Sequence, residues 1–454
     1  AYFMDSYSVV IDSEMIRNSL QTSFKESVDL FSFRLVLYVV FLAIIPSYIV
    51  YKTKINYKSL KGEIVSKLKT ITLSLVIIFI IIFSFSKFYT SFFREHKPLR
   101  YNINPIYWIY SIGNYVHKTL DTAPTEIKDI GLDAKIVEEE NEPKELIILV
   151  VGETARADRF SLNGYSKETN PLLKKEDLVS FTNMSSCGTS TAHSVPCMFS
   201  IFPKDDYSYK KGASTKNVLD VLNNTQDVAI LWRDNNSDSK GVALRVDYED
   251  FQTPKTNSIC DEECRDEGML VGLEDYIEKN RGRDILIVLH QMGNHGPAYY
   301  KRYPKEFEKF TPVCKTNQLE NCTKEEISNA YDNAILYTDY FLSKAINFLK
   351  KYSNTHEAGL LYVSDHGESL GENGIYLHGM PYAIAPKAQT HVASLIWLDN
   401  GQMAHEYDIN KIKQNKDKEY SHDNLFDTLL GLFEVKTEVY KKELDILNEA
   451  RKED

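Results

Sequence analysis

Two apolar runs dominate the N-terminal part of the chain, from about Leu35 to Val50 and from about Ile71 to Phe85. The second contains Ile71, Leu73, Leu75 and the unbroken stretch Val76 to Phe83, with no polar face. A surface helix of a globular domain keeps a polar stripe, whereas a helix apolar all round is deeply buried or spans a bilayer. With its flanking aromatics each run reaches spanning length. The pattern predicts transmembrane helices at about 31–51 and 69–88. Between them Lys52, Lys54, Lys58, Lys61, Lys67 and Lys69 face a single acid, Glu63. Such an excess of lysine places this short loop in the cytoplasm and both flanking segments outside.

Residues 1–30 are amphipathic and read as an external loop. Phe92 to Tyr115 is aromatic-rich and carries Arg94, His96, Lys97 and Arg100, a composition that suits interfacial helices over 89–118. The membrane region is thus expected at 1–118. Its first residues, beginning at Ala1, read as mid-protein sequence without a signal-peptide pattern, so an N-terminally incomplete chain is expected. From Leu120 to Lys144 the composition turns acidic and poorly periodic, with Glu138, Glu139, Glu140 and Glu142. A linker is expected over 119–144, followed by a soluble domain over 145–454.

In that domain short apolar runs alternate with helical patterns: Leu146 to Val151, Val228 to Trp232, Ile285 to Leu289, Gly359 to Val363 and Val392 to Leu398. The alternation predicts an α/β fold with a mostly parallel central sheet flanked by helices. The clearest helix opens with a capping box at Thr323 and Glu326 and keeps Ile327, Tyr331, Ala334, Thr338, Phe341, Ala345 and Phe348 on one face.

Composition narrows the function classes. The 454 residues are 43% hydrophobic and 26% charged, enough for a full core, and the net charge of -11 argues against a nucleic-acid partner. All six cysteines follow the second apolar run, in three close pairs. The simplest connectivity is Cys187 with Cys197, Cys260 with Cys264 and Cys314 with Cys322. None of the pairs has the two-residue spacing favoured by zinc-cysteine sites, and disulfides imply an oxidising compartment.

Three strand candidates end in polar residues, and in open α/β sheets the carboxyl ends of strands carry the site. They read Val150-Val151-Gly152-Glu153-Thr154, Leu289-His290-Gln291-Met292-Gly293-Asn294-His295, and Val363-Ser364-Asp365-His366-Gly367-Glu368. Glu153, Asp365 and His366 offer the nitrogen and oxygen ligands zinc accepts, with one position open. His290, His295 and His378 could hold a second metal or act as acid and base. The stretch Ser186 to Cys197 is rich in hydroxyls and reads as a turn feeding a helix, where free backbone N–H groups favour a phosphate. Thr189, Ser190 and Thr191 are all candidate nucleophiles on this reasoning.

These residues carry a resemblance. Arg94-Glu95-His96-Lys97-Pro98-Leu99-Arg100, Gly152 to Asp158, Cys187 to Phe199, Trp232 to Lys240, Gly293 to Tyr299 and Ser364 to Met380 are together similar to the lipid A phosphoethanolamine transferases. That family includes the mobile colistin-resistance enzymes and belongs to the alkaline phosphatase superfamily. The resemblance implies an alkaline-phosphatase-like catalytic domain in the periplasm, behind a bacterial inner-membrane region whose first two of five helices are missing here. It implies that Thr191 is the nucleophile and bonds a catalytic Zn2+ along with Glu153, Asp365 and His366. Asn236, Ser237, Lys240, His295 and His378 would line the phosphoethanolamine pocket, with Lys240, His295 and His378 taking catalytic parts. Asn18, Thr22 and Glu26 recur every four residues, as on one helical face, and the resemblance turns that face toward the donor lipid. It further implies phosphatidylethanolamine as donor, lipid A as acceptor, a monomer, and polymyxin resistance through masking of surface charge.

Rival readings keep the site but change the acceptor to a core sugar, a protein or water, or make the chain a non-catalytic lipid-binding protein. A sulfatase would want a cysteine or serine for formylglycine where Thr191 stands.

Overall fold

The computed structural model describes residues 1–22, 24–54, 59–86, 88, 89, 92, 97–121, 126–136 and 143–452. Lys58, Arg94, His96, Glu138, Glu139, Glu140 and Glu142 lie outside the described residues. The chain forms two compact units, one of Ala1–Tyr2 and Phe31–Tyr110, the other of Phe3–Leu30 and Ser111–Asp454.

In the first unit, helices Phe33–Lys52 and Leu60–Ser84 are long and apolar enough to cross a membrane. The former passes through a π-helical turn at Val40–Ile44. Pro46 explains it, because its ring and missing N–H disrupt the regular α-helical ladder one turn earlier. Ser59 caps the other helix, its hydroxyl accepting from Gly62 N. Phe79 and Phe83 are 67% and 73% exposed. Large apolar side chains displayed on every side suit a lipid solvent, which a helix can enter because its backbone bonds are internal.

The second unit is built on an eight-stranded sheet. We number its strands β1 (Lys144–Gly152), β2 (Leu178–Ser185), β3 (Val228–Asp234), β4 (Asp247–Asp250), β5 (Asp284–His290), β6 (His356–Ser364), β7 (His391–Leu398) and β8 (Tyr420–Ser421). Their spatial order is β8-β2-β7-β6-β1-β5-β3-β4. Neighbours are parallel except β7, which runs antiparallel to both β2 and β6. β1 is central and its residues Leu146–Val151 are at most 1% exposed, as a strand covered on both faces requires. Leu149→Ala is expected to lower unfolding free energy by about 2–5 kcal/mol in denaturant titration, the usual cost of an unfilled core cavity.

The capping box predicted before the long helix Lys324–Leu349 is present: Glu326 N donates to Thr323 Oγ1 (3.2 Å) and Thr323 N to Glu326 Oε2 (2.7 Å). All seven residues of its predicted apolar face are buried.

Register sets the site. Gly152 lies opposite Ser364, Val151 opposite His290, and Asp234 opposite His290. The carboxyl ends of β1, β3, β5 and β6 therefore finish level, and the residues just beyond them meet at one edge.

Candidate active site and metal centre

Ser190 is extended (φ -152°, ψ 148°), so Thr191 is the first residue of helix Thr191–Met198. The Cys187–Cys197 disulfide joins the preceding turn to this helix. A helix N-terminus carries partial positive charge and favours a bound phosphate. Thr191 Oγ1 donates to Glu153 Oε2 (3.0 Å) and lies 3.4 Å from His366 Nε2. Thr189 Oγ1 instead donates to the Met380 carbonyl (2.6 Å). Of the hydroxyls the sequence left open, Thr191 is the one bonded to the carboxylate and beside the imidazole, Thr189 is turned to Met380, and Ser190 makes no side-chain cap bond at the helix start.

Glu153, Asp365 and His366 are fully buried, and one ligand atom from each lies within 4.8 Å of the others. His366 Nδ1 is 2.9 Å from the Gly367 carbonyl. That contact makes Nδ1 the protonated nitrogen and leaves the Nε2 lone pair facing Glu153 Oε1 (3.5 Å) and Asp365 Oδ2 (3.4 Å). Burial holds the imidazole at about 4 despite Asp365, so it is neutral at physiological pH, the form that binds metal. Asp365 Oδ1 accepts from Thr154 N and His366 N, whereas buried Oδ2 has no hydrogen-bond partner among the described residues. A buried carboxylate oxygen without a donor is costly unless a cation meets it. The donor set fits a zinc ion in type and number.

Around this centre Asn236 Nδ2 donates to Glu153 Oε2 (2.8 Å) and the Gln291 carbonyl (2.9 Å). Ser237 Oγ donates to Asn236 Oδ1, and Lys240 Nζ donates to Ser237 Oγ (2.7 Å). Lys240 adopts a left-handed backbone (φ 51°) with its side chain only 6% exposed, a conformation that non-glycine residues hold mainly where the surroundings impose it. Gly293 (φ +51°) is a steric requirement: a Cβ there would meet the Glu153 carbonyl at 2.9 Å.

The His378 ring lies 4.3 Å from the His366 ring, tilted by 45°, and 5.8 Å from His295, edge to face. Its Nδ1 is 2.7 Å from Glu368 Oε2, and Tyr299 OH donates to Glu368 Oε1 (2.5 Å). No role was read for Glu368 or Tyr299 in the sequence. Glu368 stands in the Asp365-His366-Gly367 stretch and carried a visible signal, but Tyr299 is an aromatic like any other until the fold turns it inward. His290 takes a different place from His295 and His378. It is fully buried, its Nδ1 2.8 Å from Asp234 Oδ2, and it does not line the cavity.

A cavity of about 180 Å³ opens in front of Thr191 and is lined by Asn236, Ser237, Lys240, His295 and His378. Its far wall comes from the segment Phe3–Leu30, through Asn18 and Thr22. The expected single helical face is corrected here. Asn18 lies in helix Ser13–Gln21, Thr22 is its extended C-cap (ψ 133°), and Glu26 belongs to a separate short helix, Phe24–Asp29. The extended backbone at Thr22 ends the helix and breaks the period, while its hydroxyl donates to the Asn18 carbonyl. The Glu26 side chain lies outside the described residues.

Helix Ser13–Gln21 begins at Asp12, whose side chain accepts from Glu14 N and Met15 N. Arg17 is 3.6 Å above the Tyr209 ring, and Glu14 Oε2 is 3.7 Å from His193 Nδ1. Burial raises the Glu14 carboxyl, but His193, Arg17 and Lys118 outweigh it and hold it at about 2. A depressed folded value contributes stability that is complete above the unfolded value of 4.5 and disappears as pH falls toward 2. With the carboxylate one-third exposed (33%), screening limits the effect to about 1 kcal/mol. Glu14→Gln is expected to lower the unfolding midpoint at neutral pH, with the gap closing near pH 2. A gap that persists there contradicts this role.

Comparison with known proteins adds the family. Residues 145–435 match the family described as Sulfatase, and residues 1–120 match the one described as Phosphoethanolamine transferase EptA/EptB. The chain is 46% identical over 446 residues to phosphatidylethanolamine transferase Mcr-2 of Escherichia coli, covering 96% of this chain and 81% of the relative. It belongs to the phosphoethanolamine transferases. Phosphoethanolamine transferase EptA of Escherichia coli K12 is 42% identical over 99% of this chain and 83% of its own. The structure of the integral membrane protein lipooligosaccharide phosphoethanolamine transferase A (EptA) from Neisseria meningitidis superposes with TM-score 0.94 at 36% identity, covering all of this chain and 85% of the other. This transferase accordingly has the α/β domain expected from its strand pattern, of the alkaline-phosphatase-like kind that the resemblance implied.

Proposed function

We propose that this transferase moves phosphoethanolamine from phosphatidylethanolamine to a lipid A phosphate through a covalent phospho-Thr191 intermediate. The observation that carries the reading is Thr191 Oγ1, placed at a helix N-terminus, bonded to Glu153 and 3.4 Å from His366. A zinc ion held by Glu153, Thr191, Asp365 and His366 would lower the hydroxyl's pKa and polarise the phosphoryl oxygens.

Thr191 Oγ1 attacks phosphorus, a Thr–O–P bond forms, and the bond to the glycerol oxygen breaks. Diacylglycerol leaves with a proton. Lys240, held by Ser237, and the helix N-terminus offset charge on the phosphoryl oxygens as it builds. In the second half, a lipid A phosphate oxygen attacks the same phosphorus and Thr191 leaves, regaining its proton. His378, its Nδ1 fixed by Glu368, is placed for proton transfer, and His295 lies beside it. Asn18, Thr22 and Glu26 belong to the segment that faces the donor.

On this reading 1–118 is the membrane region, with an outer loop at 1–30, spans at about 31–51 and 69–88 and interfacial helices at 89–118. A linker follows at 119–144, then the catalytic domain at 145–454 in the periplasm. The enzyme works as a monomer in the bacterial inner membrane. The match to an integral membrane protein and the two apolar helices support the membrane assignment, and the relative named for phosphatidylethanolamine supports the donor.

The test is the lipid A mass spectrum of polymyxin-sensitive cells producing this protein, beside cells carrying vector alone. A phosphoethanolamine mass addition and raised polymyxin tolerance are expected. Unchanged lipid A with folded, membrane-inserted, zinc-loaded protein overturns the acceptor assignment.

A further inference from the structure

The segment Phe3–Leu30 walls the cavity, and its fastening lies away from the reacting groups. Asp29 is 5% exposed. Its Oδ2 accepts from Arg302 Nη2 (3.1 Å) and its Oδ1 from Lys301 Nζ (2.5 Å). The Arg302 side chain is 1% exposed and all three of its nitrogens are engaged: Nη1 donates to both Glu263 oxygens (2.5 and 2.6 Å), and Nε donates to the carbonyl of His295 (2.6 Å). Glu263 sits inside the hairpin closed by Cys260 and Cys264. A second disulfide loop, Cys314–Cys322, holds the same segment through Asn317. Asn317 bonds the Asp29 carbonyl through its amide and accepts from Tyr7 OH at its own carbonyl. Leu30, next to Asp29, and His295, whose carbonyl Arg302 holds, are two walls of one cavity.

We propose that Arg302 is a positioning residue and Asp29 its latch: the buried guanidinium ties the donor-facing segment to the loop bearing His295, so that the two walls keep one spacing. This rests on the donor assignment made under Proposed function. The physical argument is the planar fork of arginine. Its fixed donors satisfy three acceptors in set directions, which a lysine ammonium on a flexible stem cannot reproduce. Nothing in the cluster is aimed at substrate, so its effect is on geometry. Loss of the Asp29 carboxylate loosens the segment at this end, where Asn317 still bonds the Asp29 carbonyl and Tyr7, while leaving Arg302 bonded to Glu263 and His295. A change at Arg302 frees both walls.

The experiment uses the full chain in mixed micelles of detergent, phosphatidylethanolamine and saturating lipid A as acceptor, with steady-state release of diacylglycerol and hydrogen exchange as paired readouts. Asp29→Asn is expected to raise KM for the lipid about tenfold with kcat within about twofold, the signature of lost binding rather than lost transition-state stabilisation. Exchange over residues 3–30 should rise while that of β1 stays unchanged, and Asp29→Glu should recover most of the affinity. Arg302→Lys should raise KM and lower kcat together. If Arg302→Lys does not fold, the Asp29 variants still decide. Unchanged KM and unchanged exchange in Asp29→Asn overturn the proposal, as does a fall in kcat alone. If the unsubstituted chain releases no diacylglycerol, the donor assignment fails instead, and exchange over 3–30 alone decides whether Asp29 is the latch.

Discussion

Thr191→Ala is expected to lower phosphoethanolamine transfer by roughly 10⁴-fold or more, because losing a nucleophile leaves only binding and electrostatic assistance. The substitution removes one hydroxyl and one methyl from a buried position without touching the Cys187–Cys197 bridge or the helix that follows. Folding should therefore survive, and the comparison reads chemistry. Thr191→Ser keeps the hydroxyl at the helix N-terminus and should retain activity within about a hundredfold of the parent, since the loss of one methyl frees a rotamer without removing the attacking oxygen. Incubation with phosphatidylethanolamine and intact-mass spectrometry checks both. A phosphoethanolamine adduct on the parent and on Thr191→Ser, absent from Thr191→Ala, is the expected set. An adduct that persists in Thr191→Ala moves the nucleophile elsewhere.

Asp365→Asn is expected to separate stability from function. Oδ2 is buried and without a hydrogen-bond partner among the described residues, while two backbone N–H groups on Oδ1 partly offset the charge. An amide oxygen keeps those two bonds, so without metal the variant should stay within about 1 kcal/mol of the parent. With zinc in thousandfold excess over its dissociation constant, the parent should gain about 4 kcal/mol, and the variant much less. Turnover should fall by at least about a hundredfold, as expected when a ligand to the catalytic ion is lost. Thermal unfolding with and without chelator, alongside zinc titration, gives both readings. Equal zinc stabilisation of the two proteins would remove Asp365 from the ligand set.

Much of this was legible along the chain because the physical causes are local. Leu146 to Val151 is continuously apolar since β1 is covered on both faces. Thr323 and Glu326 satisfy each other's backbone within one turn, so the long helix announces its own start. β4 was not legible: its residues Asp247–Asp250 are all exposed and, apart from Tyr248, acidic, and an edge strand of that kind has no apolar alternation to detect. β2 was missed for a related reason, since its second half, Thr182-Asn183-Met184-Ser185, is partly exposed and interrupts the pattern. The helix period through Asn18, Thr22 and Glu26 failed at Thr22, where the backbone turns extended and ends the helix.

The sequence by itself determined the apolar spans, the central strands and the residue types that can hold zinc, because composition and short-range periodicity encode burial directly. Only the tertiary structure decided which hydroxyl faces Glu153, that His290 is locked behind the site by Asp234, and that Asp29 meets Arg302 across 273 positions. Those choices rest on strand register and on side-chain directions at the ends of different strands. Contacts between distant segments leave no period in the chain, so they become readable only when the sheet brings their ends level.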